Sequence, residues 1–190
     1  MSRSCLAAWT VFGLTVVQLV VGTVAGGAQF DGKAFGARLA LYPLMMLAVP
    51  AVWWLVRRRR GGTAPLPWDG VALIMAPFLV DVTGNTLDLY DTVAWWDDAN
   101  HLVNWALLSG GIGLLLTRSA IAPRWALALT IAGIGAILAI VWEVGEYYAF
   151  IRNGTELDTA YEDTLGDEVL GTTGAAIAAL LVARLRYREA

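Results

Sequence analysis

Residues 5–30 contain no charged side chain and are mostly apolar. A helix rises about 1.5 Å per residue, so about 20 apolar residues cross the hydrocarbon core of a bilayer. The run lacks the short apolar region followed by a small-residue cleavage site that marks a signal peptide. We therefore interpret it as a transmembrane helix.

The rest of the chain continues this pattern. Of the 190 residues, 58% are hydrophobic and only 15% are charged, which fits a polytopic membrane protein and excludes an ordinary water-soluble domain. The apolar segments predict an all-α bundle of six transmembrane helices in one integral membrane domain, residues 1–190. The approximate spans are 5–30, 35–56, 68–90, 100–116, 125–150 and 167–183.

The distribution of charge predicts the orientation of these spans. Lys and Arg near helix ends favour the cytoplasmic side. Six spans with both termini in the cytoplasm place all but three of the 13 basic residues inside, the exceptions being Lys33, Arg38 and Arg152. Most of the 16 acidic residues then fall on the outer side. Five or seven spans would scatter both sets.

Cysteine and histidine are each present only once, as Cys5 and His101. This excludes an intrachain disulfide, a Cys-rich metal site and any site that needs two or three imidazoles. It also excludes a ferritin-like di-iron site, which needs two Glu-x-x-His motifs, and the H-E-x-x-H motif of zinc hydrolases is absent. A metal site in this chain would have to consist mainly of carboxylates.

Four predicted helices carry polar side chains at helical spacing near the outer surface. These are Asp81, Asn85 and Asp88 on the third, Asp97, His101 and Asn104 on the fourth, Glu143 and Glu146 on the fifth, and Asp163 and Asp167 on the sixth. Residues three or four apart share one face of a helix. We therefore expect a polar site between the fourth, fifth and sixth helices, with a contribution from the third.

Electrostatics indicates what this site would hold. An Asp at the centre of a membrane helix costs roughly 2.5–3.5 kcal/mol, and the three basic residues on that side are too few to neutralise so many acids. Bound cations or shared protons must supply the difference. Carboxylates with one imidazole suit a divalent metal cation such as Mg²⁺, Mn²⁺, Ca²⁺, Fe²⁺ or Zn²⁺.

The candidate residues divide by expected role. The expected metal ligands are Asp97, His101, Glu143, Glu146, Asp163 and Asp167. Glu143 or Glu146 would act as the general base if the site is catalytic, and Asp81, Asn85 and Asn104 would line a substrate pocket. The alternative is a hydrogen-bonded network of these side chains that fixes helix packing.

Three motifs of this set occur in a fixed order: D-x-x-x-H (Asp97, His101), E-x-x-E (Glu143, Glu146) and D-T-x-x-D (Asp163, Thr164, Asp167). Over about residues 95–181 the pattern resembles the YjdF-type bacterial inner-membrane protein family, and more loosely the VanZ-like superfamily. The resemblance implies a multi-pass protein of the bacterial plasma (inner) membrane with a polar site on its outer face. It implies no particular reaction.

Three functions are compatible with these observations. The first is a metal-dependent enzyme that acts on a lipid headgroup or a lipid-linked phosphate. The second is a proton- or cation-coupled transporter, although the cytoplasmic halves of the fourth and fifth helices are almost wholly apolar. The third is a non-catalytic accessory or binding protein. We expect membrane lipids as partners and no nucleic acid, and the sequence identifies no protein partner.

Overall fold

The computed structural model describes residues 1–61, 65–119, 121, 123–152 and 155–186. Most of these residues are helical, with no strand among them, which confirms the all-α prediction. The C-terminal residues predicted to lie in the cytoplasm, 187–190, fall outside the described part. The chain divides into two compact units, Met1–Trp96 and Asp97–Ala190.

The described part of the first unit has, besides a short 3-10 helix (Ala28–Phe30), four α-helices. They are α1 (Arg3–Val24), α2 (Phe35–Arg60), α3 (Trp68–Thr86) and the short α4 (Leu89–Thr92). A small core of Ala8, Met46, Val71 and Met75 packs α1, α2 and α3 against one another. The side-chain amide of Gln18 also donates a hydrogen bond of 3.0 Å from α1 to the Thr83 hydroxyl of α3.

The ends of these helices follow from local sequence. Ser2 caps α1, because its hydroxyl accepts a hydrogen bond of 3.1 Å from the backbone N–H of Cys5. The helix ends at Val24, earlier than the predicted span 5–30, because Gly26 adopts a left-handed conformation with φ 59°. In the third predicted span, 68–90, the helix ends at Thr86. The chain then changes direction at Asp88, which has a positive φ of 60°.

The second unit has, among its described residues and besides a short 3-10 helix (Thr155–Asp158), three long helices. They are α5 (Trp96–Leu116), α6 (Arg124–Glu146) with a π-helical turn (Tyr147–Ile151), and α7 (Ala160–Arg186). Both α5 and α7 begin earlier than the predicted spans 100–116 and 167–183. Each has two acids in its first turn, where the positive end of the helix dipole favours them. Asp97 and Asp163, which precede the predicted spans but were assigned to these helices by their spacing, therefore lie within the helices.

Small residues bring α5 and α7 unusually close together. A Cβ atom on Gly174 would overlap the backbone oxygen of Leu102, and one on Gly171 would lie 2.7 Å from Cδ1 of Trp105. The glycine and alanine residues of α7 permit this close approach, because small residues let helix backbones come together. Because Asp167 and Gly174 are seven residues apart on one face of α7, the contact also brings Asp167 towards α5.

Five helices among the described residues are long and apolar enough to cross a membrane. They are Arg3–Val24, Phe35–Arg59, Trp96–Leu116, Arg124–Ala149 and Ala160–Leu185. Their outer faces remain apolar; on α6, for example, Leu129 and Ile137 are 65% and 62% exposed. Such a surface suits contact with lipid rather than water. Helix α3 is not among the five, because Asp69, Asp81 and Asn85 make it more polar.

Candidate functional site

A buried stripe on α6 ends in a glutamate. Every fourth residue of this helix is buried, in the order Leu127, Ile131, Gly135, Ala139 and Glu143. Residues four apart share a helix face, so Glu143 points into the interior of the second unit together with the apolar residues before it. Only 5% of Glu143 is exposed.

The other two helices contribute matching stripes. On α5 the buried positions include His101, Trp105 and Ser109, and His101 is 9% exposed. On α7 the buried face includes the side chain of Asp167, which is 5% exposed. Each of the three helices therefore has at least one buried polar side chain on its packing face.

These side chains meet around the single imidazole of the chain. Nε2 of His101 lies 3.7 Å from Oδ1 of Asp97 and 3.6 Å from Oδ1 of Asp167. Nδ1 of His101 lies 3.6 Å from Oε1 of Glu143. All three separations exceed the roughly 2.7–3.2 Å of an ordinary N–H···O hydrogen bond. Carboxylates from three helices thus surround both ring nitrogens.

Among the residues that the structure describes, two overlapping groups of ligand atoms could each hold a metal ion. One consists of Asp97, His101 and Asp167, and the other of His101, Glu143 and Glu146, with ligand atoms within 4.8 Å of one another in each group. We refer to these five residues as the His101 cluster. The Oε1 atom of Glu143 is buried and accepts no hydrogen bond from the described residues. A buried acceptor without a donor is costly, so a ligand that supplies positive charge would stabilise it.

Two further residues of the predicted site lie near the cluster in sequence but outside both ligand groups. Asp163 is exposed on α7, one turn before Asp167. Asn104 donates a hydrogen bond of 2.7 Å to the side-chain oxygen of Asn100, and its own oxygen is buried without a donor among the described residues. The roles of Asp163 as a ligand and Asn104 as a pocket residue stay predictions.

The first unit contains a different polar network, centred on Asp81. Its carboxylate accepts hydrogen bonds from the hydroxyls of Tyr42 at 2.6 Å and Tyr90 at 3.0 Å. It also forms an ion pair with Arg38 and accepts a hydrogen bond of 3.2 Å from the amide of Asn85. Asp81 and Asn85 were predicted as pocket residues, and that role is untested; the contacts give both a structural role in this unit.

Arg38, Tyr42 and Tyr90 were not predicted to contact Asp81. The available signal was the spacing of Arg38 and Tyr42, two polar residues four apart in the mostly apolar first half of α2, whose side chains hydrogen-bond at 2.8 Å. Tyr90 reaches Asp81 because Gly84 leaves room for its ring against α3. Nothing in the local sequence indicated that contact.

Lys33 joins two acids near the end of α3. Its ammonium binds Asp88 and also Asp91, the latter at 2.7 Å. Burial lowers the pKa of Lys33, but the hydrogen bonds to the two carboxylates outweigh it and hold the pKa above its ordinary value. The hydrogen bond from Lys33 in turn holds the pKa of Asp91 below its ordinary value.

Residues 8–188 match one protein family along nearly the whole chain, and the description of that family is "Predicted membrane protein (DUF2238)". The chain belongs to the DUF2238 family. The match agrees with the five apolar helices and makes the chain a predicted membrane protein. No curated protein and no solved structure matches it. The resemblance to YjdF-type and VanZ-like proteins stays a prediction, since the match supports a membrane family without either name.

Proposed function

We propose that the second unit binds a divalent cation at the His101 cluster and uses it to recognise the phosphate of a lipid headgroup in the outer leaflet. The observation that carries the proposal is the convergence of Asp97, Glu143 and Asp167, from three helices, on one imidazole. Oxygen ligands with a single nitrogen favour Mg²⁺, Mn²⁺, Ca²⁺, Fe²⁺ or Zn²⁺ over softer ions.

Charge supports a cation in preference to an internal network. Glu143 and Asp167 are each 5% exposed and lie within apolar helices. Burying a charge costs several kcal/mol unless a partner compensates it. Two of the three basic residues on the predicted outer side, Lys33 and Arg38, bind acids of the first unit. A divalent cation would supply the missing positive charge.

The depth of the cluster supports a headgroup as the second ligand. Tyr147 and Tyr148 follow Glu146 directly and are 41% and 62% exposed. Tyrosine side chains are enriched at the membrane–water interface, where phosphate groups lie. The Asp97 side chain is 43% exposed, so one side of the cluster is open. Phosphate oxygens are hard donors that complete the coordination of divalent cations in many sites.

Hydrolysis of the headgroup is the reaction that these residues could support. A bound divalent cation polarises a phosphoryl oxygen and favours attack by water. Of the two glutamates predicted as general base, Glu146 is the more accessible, whereas Glu143 is 5% exposed. Glu146 would take the proton of the attacking water while the bond from phosphorus to the lipid oxygen breaks, and the lipid oxygen takes up a proton.

We also propose that the chain crosses a bacterial inner membrane six times, with α3 as one of the six spans. Helix α3 has 19 residues, long enough to cross a bilayer, and its polar side chains are held within the first unit. A crossing by α3 places both termini in the cytoplasm and Arg57–Arg60 inside, as the positive-inside rule requires. Replacing Cys5 by serine gives a cysteine-free background for labelling single cysteines from either side of the membrane.

Binding of Mn²⁺ to purified protein in lipid nanodiscs tests the cation site. We expect one high-affinity ion per chain in the wild type and loss of binding in D97N and D167N. The matched controls D98N and E168Q remove a neighbouring acid outside both ligand groups and should keep the affinity. Equal loss of Mn²⁺ binding in the controls would mean that binding depends only on net charge. Absence of Mn²⁺ binding in the wild type would refute the site.

Lipid recognition is tested with the same nanodiscs. We expect phospholipid with a phosphomonoester headgroup to bind in the presence of Mn²⁺ and to be released by a chelator, with D98N unaffected. Release of inorganic phosphate that depends on Glu146 would establish hydrolysis. Cation binding without any lipid selectivity would contradict the headgroup part of the proposal and leave a cation-binding or transport protein.

A further inference from the structure

His101 belongs to both groups of ligand atoms, and its two ring nitrogens face different partners. Nε2 faces two carboxylates, those of Asp97 at 3.7 Å and Asp167 at 3.6 Å. Nδ1 faces Glu143 at 3.6 Å, with Glu146 in the same group. A neutral imidazole has a proton on one nitrogen and a lone pair on the other. A cation bound at one nitrogen therefore determines what the other nitrogen can do.

We propose that the cation binds at Nε2 of His101 together with Asp97 and Asp167, and that Glu143 is a positioning residue that accepts a hydrogen bond from Nδ1–H. This inference rests on the proposed cation site and specifies which side of the ring the cation occupies. It assigns Glu143 neither the role of ligand nor that of general base. The arrangement is a carboxylate–histidine–metal triad, in which the carboxylate fixes the tautomer and the orientation of the ring.

Access distinguishes the two sides of the ring. The Asp97 side chain is 43% exposed, so a hydrated cation can reach Nε2 from solvent. On the other side, the Nδ1 atom of His101 and the Oε1 atom of Glu143 are both buried from solvent. A cation between these two atoms would have to lose its water on that side. Dehydration of a divalent ion is costly, which favours the Nε2 side.

Ligand spacing agrees with this choice. Two ligand atoms that are each about 2.1 Å from a tetrahedral metal lie about 3.4 Å apart. The separations of Nε2 from Asp97 and Asp167, 3.7 and 3.6 Å, are close to that value. These three protein ligands leave coordination positions open for water or a phosphate oxygen. The open positions are what the proposed recognition of a headgroup requires.

The buried oxygen of Glu143 is also explained. Oε1 of Glu143 accepts no hydrogen bond from the described residues, although the side chain is only 5% exposed. If the lone pair of Nε2 binds the cation, the proton must be on Nδ1, which lies 3.6 Å from this oxygen. A shortening of the 3.6 Å separation on cation binding would then satisfy the acceptor.

The single histidine makes a direct test possible. In protein labelled with ¹⁵N-histidine, both ring nitrogens give signals from one residue only. We expect titration with ¹¹³Cd²⁺ to produce scalar coupling between cadmium and Nε2, and Nδ1 to retain its proton. Coupling to Nδ1 would overturn the inference while leaving the cation site intact. If neither nitrogen shifts or couples, the cation site itself fails.

Substitutions provide a second readout. E143Q should weaken Cd²⁺ binding about 10–100-fold without moving the coupling from Nε2, since it disturbs a residue that orients a ligand. E146Q should keep the Cd²⁺ affinity within about threefold, whereas a cation on the Nδ1 side would lose a ligand. E168Q serves as the charge-matched control. An affinity in E143Q equal to that of wild type, or a strong loss in E146Q, would contradict the assignment.

Discussion

The two units bury acidic side chains in different surroundings. In the first unit, the carboxylate of Asp81 forms an ion pair with Arg38 and accepts hydrogen bonds from two tyrosine hydroxyls and an amide. In the second, the imidazole of His101 is surrounded by carboxylates, and the buried oxygen of Glu143 has no donor among the described residues. One network contains its own counter-charge, and the other is rich in acids.

This difference suggests how to separate structural from ligand-binding acids in a membrane protein. A buried carboxylate whose acceptor positions are filled by the protein contributes to folding and gains little from a ligand. A group of carboxylates that meet without enough donors is stabilised by an external cation. The first arrangement describes Asp81, and the second describes the His101 cluster.

The free energy of unfolding should change most when the hydrogen-bond and ion-pair network around Asp81 is disrupted. R38M leaves the carboxylate of Asp81, which is only 14% exposed, without its ion-pair partner. We expect a loss of about 3–5 kcal/mol in the free energy of unfolding, measured by denaturation in detergent. The double variant R38M/D81L should recover much of the loss because no charge remains buried. A loss below about 1 kcal/mol in R38M would show that water solvates Asp81.

The next effect concerns the close contact that positions the second site. In G174A the new Cβ would meet the backbone of α5 at Leu102 and at Ala106, the latter at 3.1 Å. Backbone cannot move aside easily, so we expect a loss of about 1–3 kcal/mol in unfolding free energy and weaker cation binding as Asp167 shifts. The control is G133A on α6, whose Cβ would meet nothing within 4 Å. Equal stability of the two variants would contradict the close packing.

Sequence patterns could predict much of this second site. Asp97 and His101 are four residues apart, and the buried stripe that ends in Glu143 repeats every fourth residue, so helical periodicity indicates where these side chains point. The small residues of α7 are typical of close helix packing, although their spacing does not name α5 as the partner. Periodicity could not give the start of α7 at Ala160, because the acids before Asp167 resemble a loop in composition.

The network of the first unit was beyond sequence reasoning for a different reason. The ion pair between Arg38 and Asp81 joins α2 to α3, and the partner of a buried charge depends on tertiary packing that local spacing does not encode. The reversal at Asp88, which has a positive φ, was also missed because such a conformation is uncommon for residues other than glycine. The positions of the apolar segments in the sequence predict neither this ion pair nor this reversal.

A smaller change in stability would test whether the His101 cluster, unlike the network around Asp81, lacks its own counter-charge. In the absence of divalent cations, D167N removes one charge from a group of carboxylates that repel one another. We expect the free energy of unfolding to stay unchanged or to rise by about 1 kcal/mol. E168Q controls for the loss of one charge on the same helix. A strong destabilisation by D167N would instead make the His101 cluster a structural network like that of Asp81.

The smallest effect concerns Lys33 and Asp91. The lowered pKa of Asp91 means that its contribution to stability is present above the ordinary value of 3.8 and is lost as the pH falls through the lower folded value. The raised pKa of Lys33 means that its contribution is full below 10.5 and is lost as the pH rises through the folded value. The Asp91 side chain is 64% exposed, so solvent screens the pair.

We therefore expect D91N to lower the free energy of unfolding by only about 0.3 kcal/mol at neutral pH. The difference from wild type should disappear as the pH falls through the lowered pKa of Asp91, where Asp91 also becomes protonated in the wild type. Unfolding curves of both proteins, from neutral pH down into acid, measure this. A difference that persists in acid would mean that Asp91 contributes through packing rather than charge.

The most direct test of the cation site is the divalent metal content of the protein, measured by mass spectrometry after purification without chelator. Wild type and D81N should each contain about one ion per chain, because Asp81 belongs to the internally satisfied network, whereas D167N should contain none. Metal-free wild type, or an equal loss of metal in D81N and D167N, would contradict the assignment of the His101 cluster as the cation site.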